Sequence, residues 1–294
     1  MSAVALPQRA TTAAQRGAYE WCRCYARQRD ENFPVVSWFL PRELRPHFFA
    51  LYAFCRWTDD LGDEAEGDRL TLLDAWERDL RECFDGRRMR PLFVALGRTI
   101  DTHDIPAEPF LRLIEANRMD QRVARFETYD DLLHYCEHSA NPVGRMVLYV
   151  LGYRDERRQL LSDATCTGLQ LANFWQDVSR DLAKGRIYIP REDLRRFGYS
   201  EDALRAAAVN STFRQLMAFE VQRARELFAR GRALEGLVDR RSRVDVRLFR
   251  LGGEAVLDAV ERAGNDVLTA RPRVAKGRKA WMALTNGLRM KLGV

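Results

Sequence analysis

Apolar positions along the chain recur at three- and four-residue steps, the period of helices that bury one face. Over 46–69 they are Phe48, Phe49, Leu51, Tyr52, Phe54 and Cys55, and over 70–84 they are Leu72, Leu73, Trp76, Leu80 and Phe84. The same period predicts helices over 109–119, 129–137, 142–151, 162–182, 211–237 and 252–268. Strand signals are nearly absent, with no alternating run of β-branched residues and no Asn-Gly hairpin flanked by strands. Pro41, Gly86, Pro106, 152–155 and 184–190 read as loops or helix ends. No long linker, composition shift or repeat of fixed period divides the chain. The pattern predicts an all-α, single-domain protein of many packed helices over 16–294, preceded by a frayed segment over 1–15.

Composition narrows the classes. The 294 residues are 46% hydrophobic and 31% charged, which is globular composition and excludes disordered and collagen-like chains. Lys+Arg total 48 against 42 for Asp+Glu, a net charge of +6. That excess suits an anionic small molecule or an anionic membrane surface and is too small to argue for nucleic acid. The most apolar windows, 146–151 and 165–175, fall short of the roughly 18–20 residues of a membrane span. The first residues, MSAVALPQRATTAAQRG, lack the apolar core of a secretory signal; being Ala/Thr-rich, with Arg and no acid, they leave a transit-peptide reading open. Cys22, Cys24, Cys55, Cys83, Cys136 and Cys166 form no Cys-x-x-Cys pair and read as reduced core thiols of a cytoplasmic protein. His47, His103, His134 and His138 form no zinc set, and no Gly-x-Gly-x-x-Gly follows a predicted strand.

Candidate chemistry sits in two acidic segments. In Phe54-Cys55-Arg56-Trp57-Thr58-Asp59-Asp60-Leu61-Gly62-Asp63-Glu64, Asp59 and Asp63 lie one helical turn apart, with Asp60 and Glu64 stacked beside them. Like charges so spaced repel by a few tenths of a kcal/mol. The cluster is therefore either a solvated helix end or a ligand set for a hard cation such as Mg²⁺, which bridges carboxylates to phosphates. The second segment carries Asn173, Asp177 and Asp181 on one face, beside Leu171, Phe174, Trp175 and Val178. Acids embedded in an apolar helix point to function more strongly than acids in a charged one. Lys184 and Arg186 follow, either to pair with those acids or to grip phosphate oxygens. Two such helices facing each other across an apolar cavity suit metal-assisted ionisation of a diphosphate, with a hydrocarbon tunnel shielding the cation from water.

These segments resemble the squalene/phytoene synthase family over nearly the whole chain. Arg56-x-x-Asp59-Asp60-x-x-Asp63-Glu64 is similar to its first aspartate-rich motif, and Asn173-x-x-x-Asp177-x-x-x-Asp181 followed by Lys184-Gly185-Arg186-x-Tyr188-x-Pro190 to its second. The resemblance implies an isoprenoid synthase fold with a central cavity, Mg²⁺ held by Asp59, Asp63, Asp177 and Asp181, and Asp59 and Asp177 acting in catalysis. Glu31–Val35, Ser139–Arg145 and Asn173–Val178 further resemble the bacterial hydroxysqualene synthase branch of hopanoid biosynthesis. That branch ionises presqualene diphosphate, opens its cyclopropane ring and captures the cation with water. The diphosphate comes from a partner synthase, and a flavin-dependent reductase consumes the product.

Other residues are carried over from the family. Arg56 would contact phosphate, and Asp120 would lie near the diphosphate. Tyr135 would assist proton or cation handling, or else be a core tyrosine with a satisfied hydroxyl. Relatives usually have Arg where Gln176 stands; losing that cation fits binding of one diphosphate in place of two. The family often has a Tyr where Asp266 precedes Arg271, which leaves both roles open. Asn173, Gln176, Lys184, Arg186 and Arg271 complete the expected substrate contacts. Head-to-head condensation of prenyl diphosphates is the alternative activity. A non-catalytic assembly protein is disfavoured because the four metal-site acids are present. The basic stretch 271–291, interleaved with Trp281, Met282, Leu284, Leu288 and Met290, reads as a packed last helix with a solvated face, or as a peripheral contact with the inner face of a membrane.

Overall fold

Small polar side chains and prolines set where the helices begin. The computed structural model describes residues 12–28 and 40–275. Thr12 and Gln15 form a capping box that opens α1 (Ala13–Arg27). Pro46, Pro91, Pro109 and Pro142 occupy the first turns of α2 (Arg45–Asp63), α4 (Pro91–His103), α5 (Glu108–Arg122) and α7 (Asn141–Val150), where a missing N–H costs nothing. Asp68 caps α3 (Arg69–Phe84), and a Thr128/Asp131 box opens α6 (Tyr129–Ser139). Asp155 caps α8 (Glu156–Ala183). Pro190 precedes α9 (Arg191–Arg196) and Ser200 caps α10 (Glu201–Arg205). Asn210 and Asp239 cap α11 (Ser211–Gly231) and α12 (Arg240–Arg262).

The predicted helices are present, with differences at their bounds and in the elements left out. The segment expected to fray to residue 15 already enters α1 at Ala13, and residues 1–11 lie outside the described residues. The sequence pattern left α1, α4, α9 and α10 unassigned, and the helix expected over 211–237 ends at Gly231, where a 3₁₀ segment (Arg232–Gly236) follows. The helix expected over 252–268 starts earlier, at Arg240, and ends at Arg262. The strand expectation holds: among the described residues the one β element is an isolated bridge between Arg125 and Ile187. No helix of the described residues is long and apolar enough to cross a membrane.

Two large apolar clusters, with a small third one at Leu148, Leu234, Val238 and Val246, form the interior. One gathers Leu51 and Phe54 of α2, Trp76 and Leu80 of α3, Phe93 and Leu96 of α4 and Phe110 of α5, with α1 laid across α2 and α4. The other surrounds α8, which packs against α6, α7, α11 and α12. Phe228 of α11 is wedged between Gly168 of α8 and Gly253 of α12; a Cβ at Gly253 would stand 2.3 Å from its ring. α5 and α6 bridge the two clusters, so α2 and α8 meet the same seam from opposite sides.

Within the seam, Gly62 lets α2 approach α5. A Cβ there would stand 2.2 Å from Asn117 Oδ1, and Gln121 Nε2 donates to the Gly62 carbonyl at 2.9 Å. Gly62→Ala is expected to lower stability by about 1–3 kcal/mol, the usual cost of overpacking. Urea unfolding would show it as a reduced midpoint with unchanged slope.

In the α8 half, Glu220 is fully buried (0%). Arg223 donates to Asp193 Oδ2 at 2.6 Å and lies 3.6 Å from Glu220, whose oxygens have no hydrogen-bond partner among the described residues. Burial, and then the charge of Asp193, push the Glu220 carboxyl up to about 8. The folded protein therefore keeps a proton that the unfolded chain releases near 4.5, and stability falls as pH rises between these values. Glu220→Gln is expected to flatten that dependence and to raise stability at pH 8 by on the order of 2 kcal/mol. Urea titrations of both proteins from pH 5 to 8.5 measure it; parallel curves would remove Glu220 as the cause.

Candidate functional site

The last two turns of α2 divide their acids between two faces. Asp60 accepts the Tyr25 hydroxyl at 2.6 Å and pairs with Arg56 at 2.9 Å, and Arg56 also reaches Glu64 at 2.9 Å. Asp59 and Asp63, on the neighbouring face, line a cavity of about 270 Å³ in the seam. α5 contributes Leu113, Ala116, Asn117 and Asp120 to this cavity, α6 contributes Tyr135 and Ser139, and α8 contributes Gln170, Asn173, Phe174, Asp177 and Asp181. Arg56 also lines it, and Lys184, Arg186 and Tyr188 close it from the turn after α8. That turn depends on Gly185, whose φ of +78° is open to glycine at little cost. It allows the Arg186 N–H to bond back to the Asp181 carbonyl at 2.8 Å and aims the Arg186 side chain into the cavity.

The lining holds five carboxylates (Asp59, Asp63, Asp120, Asp177, Asp181) against three cations (Arg56, Lys184, Arg186). Asp63 pairs with Arg186 at 2.8 Å, which joins the two motifs directly. Asp59 opens onto the cavity and is exposed there. Asn117 donates to its Oδ1 at 3.3 Å, and the protein packed around it, with Asp63 and Asp120 adding to it, pushes its carboxyl up to about 7. Burial and then the charge of Asp177 push Asp181 up to about 7 as well. Asp120, at about 6, is raised by burial and held back by Arg186 and by the Tyr135 hydroxyl, which donates to its Oδ2 at 2.9 Å. Lys184 makes no ion pair among the described residues. The floor is apolar: Phe174 and Tyr188 stack with ring centroids 3.7 Å apart, and Leu113 and Ala116 lie alongside. The lining is otherwise mostly polar, and this cavity of about 270 Å³ does not itself form the hydrocarbon tunnel expected from the sequence.

The sequence-predicted residues converge with two exceptions. Asp59, Asp63, Asp120, Tyr135, Asn173, Asp177, Asp181, Arg56, Lys184 and Arg186 share the cavity. Gln176 does not line it. It is 1% exposed and faces the segment after α12, where its amide donates to the Pro272 carbonyl and accepts from Arg271 Nη2, both at 2.8 Å. The expectation that Gln176 contacts substrate is therefore corrected: one position along a helix turns a side chain by about 100°, from the cavity wall into the core. Arg271 also stands outside the lining and reaches the site through Asp177, with Nη2 to Oδ2 at 2.9 Å and a second bond from Nε to Oδ1. Asp266 accepts from the Leu268 and Thr269 N–H groups and so shapes the turn that delivers Arg271. Tyr135 lines the cavity and has a satisfied hydroxyl, which donates to Asp120. The sequence reading missed Asn117 and Gln170, polar residues three positions before Asp120 and Asn173 and hence on the same helical faces. Glu31–Val35 lies outside the described residues, as does the basic stretch from residue 276 onward.

A divalent cation fits this donor set. Among the described residues no three acids converge as a ready-made metal cage. Mg²⁺ needs none, because it binds through one or two carboxylates and completes its shell with water and phosphate oxygens. Carboxylates pushed toward neutrality by burial and mutual repulsion gain when positive charge arrives.

Comparison with known proteins agrees with this architecture. The squalene/phytoene synthase family profile matches residues 26–278. The chain is 33% identical to a phytoene synthase of Arthrospira platensis, over 92% of each protein. It is 53% identical to the crystal structure of squalene synthase HpnC from Alicyclobacillus acidocaldarius, with a TM-score of 0.84, covering 87% of this chain and 97% of that one. A dehydrosqualene synthase structure, 24% identical, aligns with a TM-score of 0.86 over 94% of this chain and 98% of its own, and shows the fold. With its all-α isoprenoid synthase fold and its acidic seam, this chain belongs to the squalene/phytoene synthase family, whose enzymes act on prenyl diphosphates.

Proposed function

We propose that the chain is a hydroxysqualene synthase, converting presqualene diphosphate and water to hydroxysqualene and diphosphate. The observation that carries the reading is the opposition of Asp59 and Asp63 to Asp177 and Asp181 across a cavity with three cations, a complement suited to one diphosphate. Similarity over nearly the full length of squalene synthase HpnC supports it. Asp59, Asp63, Asp177 and Asp181 would hold Mg²⁺, which would supply Lewis-acid neutralisation of the departing diphosphate.

Arg56, Lys184 and Arg186 grip the phosphate oxygens, with Arg186 held in place by Asp63. The amides of Asn173 and Gln170 supply neutral donors on the α8 wall. Phe174 and Tyr188, stacked on each other at the cavity wall, keep bulk water from the hydrocarbon cation. Tyr135 commits its proton to Asp120, so its oxygen is left to accept, which supports a role for the pair in holding the water that adds to the cation. The new C–O bond forms from that water, and its proton passes to the Asp120 carboxylate. The water-insoluble product suits work at the inner face of a membrane by a cytoplasmic protein. A presqualene diphosphate-forming enzyme would act before it and a flavin-dependent reductase after it.

Head-to-head condensation is the second reading, favoured by the 33% identity to a phytoene synthase. Product analysis by gas chromatography–mass spectrometry separates the two. With Mg²⁺ and no NADPH, presqualene diphosphate is expected to give hydroxysqualene and farnesyl diphosphate to give no C30 product. An Asp59→Asn/Asp177→Asn variant, or chelation of Mg²⁺, is expected to reduce turnover at least ~10³-fold. A C30 product from farnesyl diphosphate would replace the proposal with condensation. No turnover of either substrate would favour the assembly-protein reading.

A further inference from the structure

The segment after α12 lies across α8 as a strap. Val267 and Leu268 are buried in the α8 cluster and Val274 packs against it, so the strap is anchored on both sides of Arg271. Between these anchors Arg271 forks onto both oxygens of Asp177, one of the acids expected to take the metal. Gln176, the preceding residue on α8, is buried and spends both ends of its amide on the strap: Oε1 accepts from Arg271 Nη2 and Nε2 donates to the Pro272 carbonyl. Only one orientation of that amide satisfies an arginine donor and a carbonyl acceptor together. Gln176 therefore fixes where the guanidinium stands, although its side chain does not line the cavity.

We propose that Gln176 is a positioning residue that latches Arg271 onto Asp177, so that Arg271, alongside Arg180 at 3.6 Å from the same acid, is a resident counter-cation of the second motif until ligand binds. A guanidinium bonded to both oxygens competes with any metal for the same lone pairs. Asp177 can serve a divalent cation fully only when Arg271 lets go. Held by Gln176 and Pro272, the released guanidinium stays beside the cavity, where a diphosphate is its natural new partner. Metal alone must then bind weakly at Asp177. A diphosphate that takes Arg271 restores the acid to the metal, and the coupling is reciprocal. The latch thus favours loading of metal and diphosphate together over loading of metal alone. The inference rests on a metal acting at Asp177, but not on which prenyl diphosphate is turned over.

The test is Mn²⁺ binding, followed by electron paramagnetic resonance of free Mn²⁺, to the full-length protein without substrate. Arg271→Met is expected to bind Mn²⁺ about 5- to 10-fold more tightly than wild type, and Gln176→Ala to gain part of that increase. Arg271→Lys, which keeps the charge but loses the fork, should fall between Arg271→Met and wild type. Asp177→Asn placed on top of Arg271→Met should cancel the gain. Hydrogen exchange over 267–275 reads the strap itself: Mn²⁺ with inorganic diphosphate should increase exchange near Arg271 in wild type and change it little in Arg271→Met. Circular dichroism establishes that each variant is folded, and a variant that is not folded is replaced by Arg271→Lys for the comparison. Equal or weaker Mn²⁺ binding by folded Arg271→Met and Arg271→Lys would overturn the latch. Because no assay uses turnover, that outcome would be independent of whether hydroxysqualene is the product.

Discussion

Five carboxylates facing one small cavity repel one another, and the surroundings of the site are arranged around that repulsion. The protein does not cancel it acid by acid. Asp63 and Asp177 receive guanidinium partners from outside their own helices, Arg186 and Arg271. Asp59 and Asp120 receive neutral donors, an amide from Asn117 and a hydroxyl from Tyr135. A neutral donor orients a carboxylate and satisfies a lone pair but leaves the charge in place. The cavity is ordered and still short of positive charge, which is the condition under which a metal–diphosphate complex binds better than either component alone.

Helical geometry makes that arrangement accessible to a short stretch of sequence. Four-residue spacing stacks two acids on one face, so each motif needs only nine residues or fewer to present its pair. Rotation by about 100° per residue assigns neighbours to different tasks. Asp59 faces the cavity while Asp60 braces α2 against Tyr25 and Arg56; Asp177 faces the cavity while Gln176 grips the strap. Because α2 and α8 belong to different apolar clusters, the site exists only at the junction of the two halves, and Gly62 permits the close approach that the junction requires.

The sequence carried much of this and stopped at identifiable places. The periodicity of α2, α5, α6 and α8 was legible because each sets a buried stripe against polar neighbours, and the acids on those stripes were legible with it. α1 was harder because its fully buried positions are the small Ala18, Cys22 and Ala26, while its large Trp21 and Tyr25 lie at partly covered positions. α4 was harder for the opposite reason: Leu92, Phe93, Ala95, Leu96 and Ile100 are all buried, so little polar contrast marks a face. The role of Gln176 was not legible, since its partners lie 95 and 96 residues further along the chain. Adjacency to Asp177 suggested substrate contact, and the helix turns the side chain elsewhere.

The wedge of Phe228 has a bearing on how such an enzyme can change. One ring fills the space vacated by two glycines on two other helices, so α8, α11 and α12 share a single packing contact that none can alter alone. Enlarging Gly168 or Gly253, or trimming Phe228, disturbs all three helices and with them the line of Asn173, Asp177 and Asp181. A change on any one of these helices must be answered on the other two, so the α8 face that carries the second motif is tied to the packing of α11 and α12. Leu113 and Ser139 line the cavity from α5 and α6, away from that contact. Substitution is therefore costly on one wall of the cavity and cheaper on the other.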